Sequence, residues 1–93
     1  MTNVDLLDKV KEGTHFVKFY ANWCGPCKMA TKVLEKWLPD NNVNLIDVNI
    51  DEESEIAQEY SIRSIPTMIV FKDGELIERH TGIPKPEFLS KYE

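Results

Sequence analysis

Residues 16–38 read FVKFYANWCGPCKMATKVLEKWL, and two periodicities meet in them. Phe16 to Tyr20 is short, aromatic and β-branched, the composition of a strand. From Cys24 to Leu38 the apolar residues Ala30, Val33, Leu34, Trp37 and Leu38 recur at helical spacing and form one stripe. Pro39, Asn41 and Asn42 stop that helix. A strand that runs through a short loop into a long helix sets the pattern for the rest of the chain.

Upstream, the spacing predicts a first helix capped by Asn3, with Val4, Leu7 and Val10 on its apolar side and Gly13 at its end. Downstream, Val43 to Ile50 reads as a second strand. Ser54 to Tyr60 reads as a short helix capped by Ser54, with Ile56, Ala57 and Tyr60 on one side. Thr67 to Phe71 is a third strand, Asp73 and Gly74 signal a tight hairpin, and Leu76 to His80 is the returning strand. Pro86 suits the first turn of a terminal helix carrying Phe88, Leu89 and Tyr92. The order is α-β-α-β-α-β-β-α. The first two strands, joined through a helix, are expected to lie parallel by a right-handed crossover, and the last pair antiparallel. The expectation is an α/β fold, a small mixed sheet with helices on both faces.

Composition narrows the function. The 93 residues fit one domain, 1–93, without repeat or linker. A hydrophobic share of 42% argues against disorder. No apolar run approaches the ~20 residues of a membrane span. The acidic start, Met1 to Asp8, lacks the pattern of an export signal, so a cytoplasmic protein is expected. The net charge of −5 divides into +2 over residues 1–39 and −7 over residues 40–93. That balance is the opposite of a nucleic-acid binder's. The acidic residues Asp51, Glu52, Glu53, Glu55 and Glu59, and the basic stripe Lys28, Lys32 and Lys36, read as solvated surface. His15 and His80 have no motif partner.

The only two cysteines are Cys24 and Cys27. A bridge between them closes too small a loop to stabilise a fold. Zinc and iron–sulfur sites want about four ligands, so no metal is expected. A site shared between two chains and an inert pair are the remaining bland readings. Chemistry reads better. Cys24 falls at a helix N-terminus, where unpaired N–H groups and the helix dipole favour a thiolate. Cys27, one turn on, points back toward it from a deeper position. Gly25 and Pro26 allow the tight turn and preset the helical backbone. Cys24 then attacks a substrate disulfide, and Cys27 attacks the mixed disulfide and releases a reduced dithiol.

The segments Ala21-x-Trp23-Cys24-Gly25-Pro26-Cys27-Lys28-Met29 and Tyr60-x-Ile62-Arg63-x-Ile65-Pro66-Thr67 resemble the thioredoxin family. The resemblance continues through Phe71-Lys72-Asp73-Gly74 to Gly82 and covers nearly the whole chain. It implies a thioredoxin fold and a cis bond before Pro66, set against the cysteines. It implies a substrate groove along Trp23, Gly25, Pro26, Ile65, Pro66, Thr81 and Gly82. A client would pair there with the backbone of Ile65 as a short added strand. The Gly–Pro pair between the cysteines looks like the reducing members of the family. The implied activity is reduction of protein disulfides by a monomer with no cofactor of its own. A partner thioredoxin reductase, driven by NADPH, would recharge it.

The sequence also departs from the family. The usual N-terminal strand has no counterpart in these residues. Four strands in the order 2-1-3-4 are therefore expected, with the second at an edge that needs protection from mispairing. The family's buried acid on the first central strand is replaced by Lys18, and its neighbouring lysine by Asp47. The two look like the same ion pair with the charges exchanged, touching behind the site and tuning Cys27. The alternative is that Lys18 snorkels outward. The helix-kinking proline is replaced by Lys32, so the helix should run straighter. Two other functional readings stand beside the reductase. One is a glutaredoxin-like carrier recharged by glutathione, disfavoured by the Gly–Pro pair and by the lack of a Gly–Gly step near Gly82. The other is a redox-independent binding subunit of a larger assembly.

Overall fold

The structure is a computed structural model that describes residues 1–93. In chain order the elements are α1 (Asn3–Lys9), β1 (Thr14–Tyr20), α2 (Gly25–Trp37), β2 (Asn44–Asn49) and α3 (Ser54–Glu59). They are followed by β3 (Thr67–Lys72), β4 (Glu75–Thr81) and α4 (Pro86–Leu89). The strands form one sheet in the order β2-β1-β3-β4. β1 and β2 are parallel, and both other pairings are antiparallel. This is the expected four-stranded mixed sheet, with β2 at an edge.

Alternation along the central strands divides the core. Val17 and Phe19 of β1 and Ile69 and Phe71 of β3 pack with Leu6, Val10, Ile56 and Ala57, so α1 and α3 cover that face. Phe16 of β1 and Met68 and Val70 of β3 pack with Leu34, Phe88 and Leu89, so α2 and α4 cover the other. Because both faces are covered, the central strands read as nearly continuous apolar runs. Lys18 is the exception, and the alternation turns it toward α2.

Details of the helices correct the sequence reading. The cap of α1 is Thr2, not Asn3: its hydroxyl accepts from the N–H of Asp5, while the Asp5 carboxylate accepts from the N–H of Thr2. The buried residues of this end are Leu6 and Val10, whereas Val4 is 76% exposed and Leu7 40%. In a helix of only seven residues the i, i+4 pair faces the sheet, and the three-residue spacing of Val4 and Leu7 runs off its side. The helix ends at Lys9, and Gly13 instead serves the turn into β1. Residue Glu53, not Ser54, precedes α3 as its cap, without a side-chain hydrogen bond. Trp37 and Leu38 are half-buried at the rim of the second core, where the Trp37 ring stacks on Phe16 at 5.5 Å. Helix α2 runs unbroken past Lys32. The hairpin turn places Asp73 and Gly74 at φ 50° and 86°, in the left-handed region that Asn, Asp and Gly tolerate. No helix is long and apolar enough to cross a membrane.

Candidate active site

β1 delivers the chain to the site at Tyr20. The N–H of Cys24 donates to Ala21 O at 3.2 Å, which closes the turn into α2. Cys24 has extended dihedrals and is the N-cap of α2, with Pro26 in the first turn. Cys27 lies three residues on, and its N–H donates to the Cys24 sulfur at 3.1 Å. A disulfide joins the two cysteines, with their Cα atoms 5.3 Å apart. Both sulfur residues are buried with Ala21, against Tyr20, Ile50 and Ile65. Gly25 and Pro26 are exposed beside them. Proline contributes no N–H, and no acidic residue stands in the first turn. The positive end of the helix therefore has the cysteine sulfurs, and no carboxylate, to act on.

The facing wall is the segment before β3. The Ile65–Pro66 bond is cis, and the Ile65 carbonyl oxygen lies 3.9 Å from Cys24 Sγ. The N–H of Gly82 donates to Pro66 O at 2.8 Å, which ties the end of β4 to this wall. Gly82 has φ 97°, a value that L side chains rarely adopt. Thr81, the last residue of β4, pairs with Thr67 and is exposed. Trp23 is 70% exposed, and its indole N–H donates to Asp51 at 3.0 Å. Asp51 in turn has its N–H held by the Asn49 side chain. The wall and the cysteines thus stand together, with Trp23 fixed to the loop after β2.

Beneath Cys27 lies a polar relay. Lys18 is 3% exposed, so it does not snorkel outward. Its ammonium is 3.0 Å from Asp47 Oδ1, on the residue paired with it across β1 and β2. It also donates to the Thr31 hydroxyl at 2.7 Å, and that hydroxyl donates to the Cys27 carbonyl at 3.1 Å. The Asp47 side chain is about half exposed.

Two residues of this arrangement escaped the sequence reading. Thr31 stands four residues after Cys27, the spacing that puts it on the same helix face, and that was a usable signal. Asp51 was grouped with the solvated acids. Only the fold shows that it faces Trp23, twenty-eight residues earlier in the chain.

Chemically, two sulfurs so placed pass between disulfide and dithiol with two electrons. No three His, Cys, Asp or Glu side chains cluster closely enough to hold a metal ion.

Similar proteins agree with this geometry. The family model described as Thioredoxin matches residues 2–92. A thioredoxin of Staphylococcus aureus is 39% identical over 93 positions, covering 98% of this chain and 89% of that protein. Among solved structures, a mutant thioredoxin from Halobacterium salinarum superposes with a TM-score of 0.85 at 28% identity, over 99% of this chain and 86% of that one. The thioredoxin of Malassezia sympodialis gives 0.78 at 35% identity, over 95% and 84%. With a match that runs almost end to end through the cysteine pair, this chain belongs to the thioredoxin family and is a thiol–disulfide oxidoreductase, a protein-disulfide reductase.

Proposed function

We propose that this chain is a cytoplasmic, monomeric single-domain carrier over residues 1–93, without a cofactor of its own. It passes electrons from a thioredoxin reductase, driven by NADPH, to the disulfides of client proteins. Cys24 is the nucleophile. Its thiolate attacks one client sulfur, a Cys24–client disulfide forms, and the client's other sulfur leaves as a thiolate. Cys27 is the resolving thiol. It attacks Cys24 Sγ, re-forms the Cys24–Cys27 bond and frees the second client sulfur, which takes a proton from water.

The observation that carries this reading is the placement of Cys24. It caps α2, accepts from the N–H of Cys27 and has no carboxylate in the first turn to compete for the helix dipole. Client binding follows from the wall. Trp23 and Ile65 offer apolar contact, and the backbone of Ile65 pairs with an extended client segment. Gly25, Pro26, Pro66, Thr81 and Gly82 shape the groove around it.

Insulin reduction with dithiothreitol as electron source, followed by turbidity, tests the proposal. Precipitation well ahead of dithiothreitol alone is expected, and loss of that acceleration in Cys24→Ser. No acceleration by the unaltered protein refutes the reductase reading in favour of a redox-independent binding role.

A further inference from the structure

The relay beneath Cys27 has a property that the exchange chemistry does not by itself require. Lys18, a cation 3% exposed, stands one hydroxyl away from the backbone of Cys27. Burying an ammonium is costly unless it is paired and hydrogen-bonded, and here both conditions are met, by Asp47 and by Thr31. The two partners differ. Asp47 opens to solvent, while Thr31 points the arrangement at the first turn of α2.

Above Thr31 is a pocket of about 160 Å3 lined by Tyr20, Ala21, Asn22, Cys27, Lys28 and Thr31. It is open to water and contains no carboxylate. It borders Cys27 and offers no acidic side chain to receive the Cys27 proton. Few charged or titratable groups stand on the elements around Cys27. β1 brings Lys18 and Tyr20, with the Lys18 ammonium 5.6 Å from the Tyr20 ring centre. β2 brings Asp47, held on the far side of Lys18. α2 brings Lys28 and Cys24 itself. The loop after β2 brings Asp51, engaged with Trp23. The segment Ser64–Pro66 brings none.

We infer that Lys18 is a positioning residue for the resolving step: it holds a fixed positive charge under Cys27, oriented through Thr31, that favours the Cys27 thiolate by charge rather than by a carboxylate base. The inference rests on the reading of Cys27 as the resolving thiol. In that step the Cys27 proton leaves to water. The thiolate then attacks Cys24 Sγ, the Cys24–Cys27 bond forms, the Cys24–client bond breaks, and the electron pair departs on the client sulfur.

The test titrates Cys27 directly. In a Cys24→Ser background Cys27 is the only thiol, and a 13C label on its β-carbon reports thiol against thiolate as pH is varied. With Lys18→Met added, the midpoint is expected to rise by about one pH unit, roughly tenfold less thiolate at any pH below it. With Asp47→Asn added, the cation is less neutralised and the midpoint is expected to fall, by less. A purely structural role does not produce opposite shifts.

An unchanged or lowered midpoint in Lys18→Met overturns the inference, as does an unchanged or raised one in Asp47→Asn. If Lys18→Met does not fold, Lys18→Gln, which removes the charge and keeps a polar end for Thr31, takes its place with the same expected rise. A second readout, on the chain with both cysteines, times release of the client thiol after a single turnover. It should slow about threefold in Lys18→Met below the midpoint, since the thiolate that remains is the stronger nucleophile, and an unchanged time overturns the kinetic claim. The titration uses no client. Failure of insulin reduction by the unaltered protein would therefore count against the proposed function, whereas failure of the titration counts against Lys18 alone.

Discussion

At the start of α1 the Thr2 hydroxyl accepts from the N–H of Asp5 at 3.1 Å, and at the start of α2 the Cys24 sulfur accepts from the N–H of Cys27, also at 3.1 Å. The two helix ends share one geometry, a side-chain acceptor at the cap bonded to the third helical N–H. They differ in what completes it. At α1 the Asp5 carboxylate returns to the Thr2 N–H at 3.0 Å, so the box is closed and an acid meets the helix dipole. At α2 there is no acid in the first turn, and the third residue is a second cysteine bonded to the first. The closed end stabilises a helix. In the proposed function the open end keeps its field for a sulfur that carries negative charge during exchange. One local device serves fold or chemistry according to whether its charge is neutralised within the chain.

Cys24→Ser breaks the comparison hardest. A serine hydroxyl caps a helix well, so the reduced protein should keep its stability while insulin reduction falls to the dithiothreitol background. A fall in stability along with activity would mean that the sulfur cap is needed for the fold. A smaller change closes the open end instead. A β-carbon added at Gly25 meets nothing within 4 Å, so Gly25→Glu places a carboxylate in the first turn without collision. The carboxylate competes with the thiolate for the helix dipole. Alkylation of Cys24 by iodoacetamide, a small neutral reagent, should slow roughly two- to threefold below its midpoint pH. Gly25→Gln should leave the rate unchanged, and equal slowing in both would make the effect steric.

The two ends also show what a sequence discloses. The cysteine end was legible. The Cys24–Cys27 spacing, the strand before it and the helical stripe after it fix where the cap lies, and the crossover and the hairpin signal give the strand directions, while the order 2-1-3-4 came only with the resemblance to the thioredoxin family. The Lys18–Asp47 contact was legible as well, because each residue replaces its charge opposite. The α1 end was misread. Thr2, Asn3 and Ser54 are all cap-forming types, and choosing among neighbours needs the backbone dihedrals that only the fold supplies. The choice of Val4 and Leu7 over Leu6 failed because seven residues are too few for periodicity to select a face. Thr31 and the Trp23–Asp51 bond depend on how α2 and the loop after β2 lie against β1, which no local pattern encodes.

Thr2→Ala opens the closed end. It should cost about 1 kcal/mol of stability in chemical denaturation. The alkylation rate of Cys24 should not move, since α1 lies on the sheet face opposite α2. A change in that rate would show that the two helix ends communicate through the sheet.

The smallest effect is a pH dependence. The Asp5 carboxyl is held below its ordinary value of 3.8, chiefly by the Thr2 N–H, then by the Thr2 hydroxyl, with the N-terminal charge and Lys9 adding to it. A depressed value in the folded state means that the unfolded chain binds the proton more readily. The contribution of Asp5 to stability is therefore fully present above the unfolded value and lost as pH falls through the folded one. Asp5 is fully exposed, so water and salt screen much of it. The difference in stability between the unaltered protein and Asp5→Asn should be constant from neutral pH down to about 5 and then shrink toward acid. In a Thr2→Ala background the hydroxyl's share is gone while the backbone N–H remains, so the shrinkage should be weaker but not absent. Equal curves in the two backgrounds would show that the hydroxyl plays no part in holding the Asp5 carboxylate. The carboxylate would then be held by the Thr2 backbone N–H alone, the one component of the box that α2 lacks a carboxylate to receive.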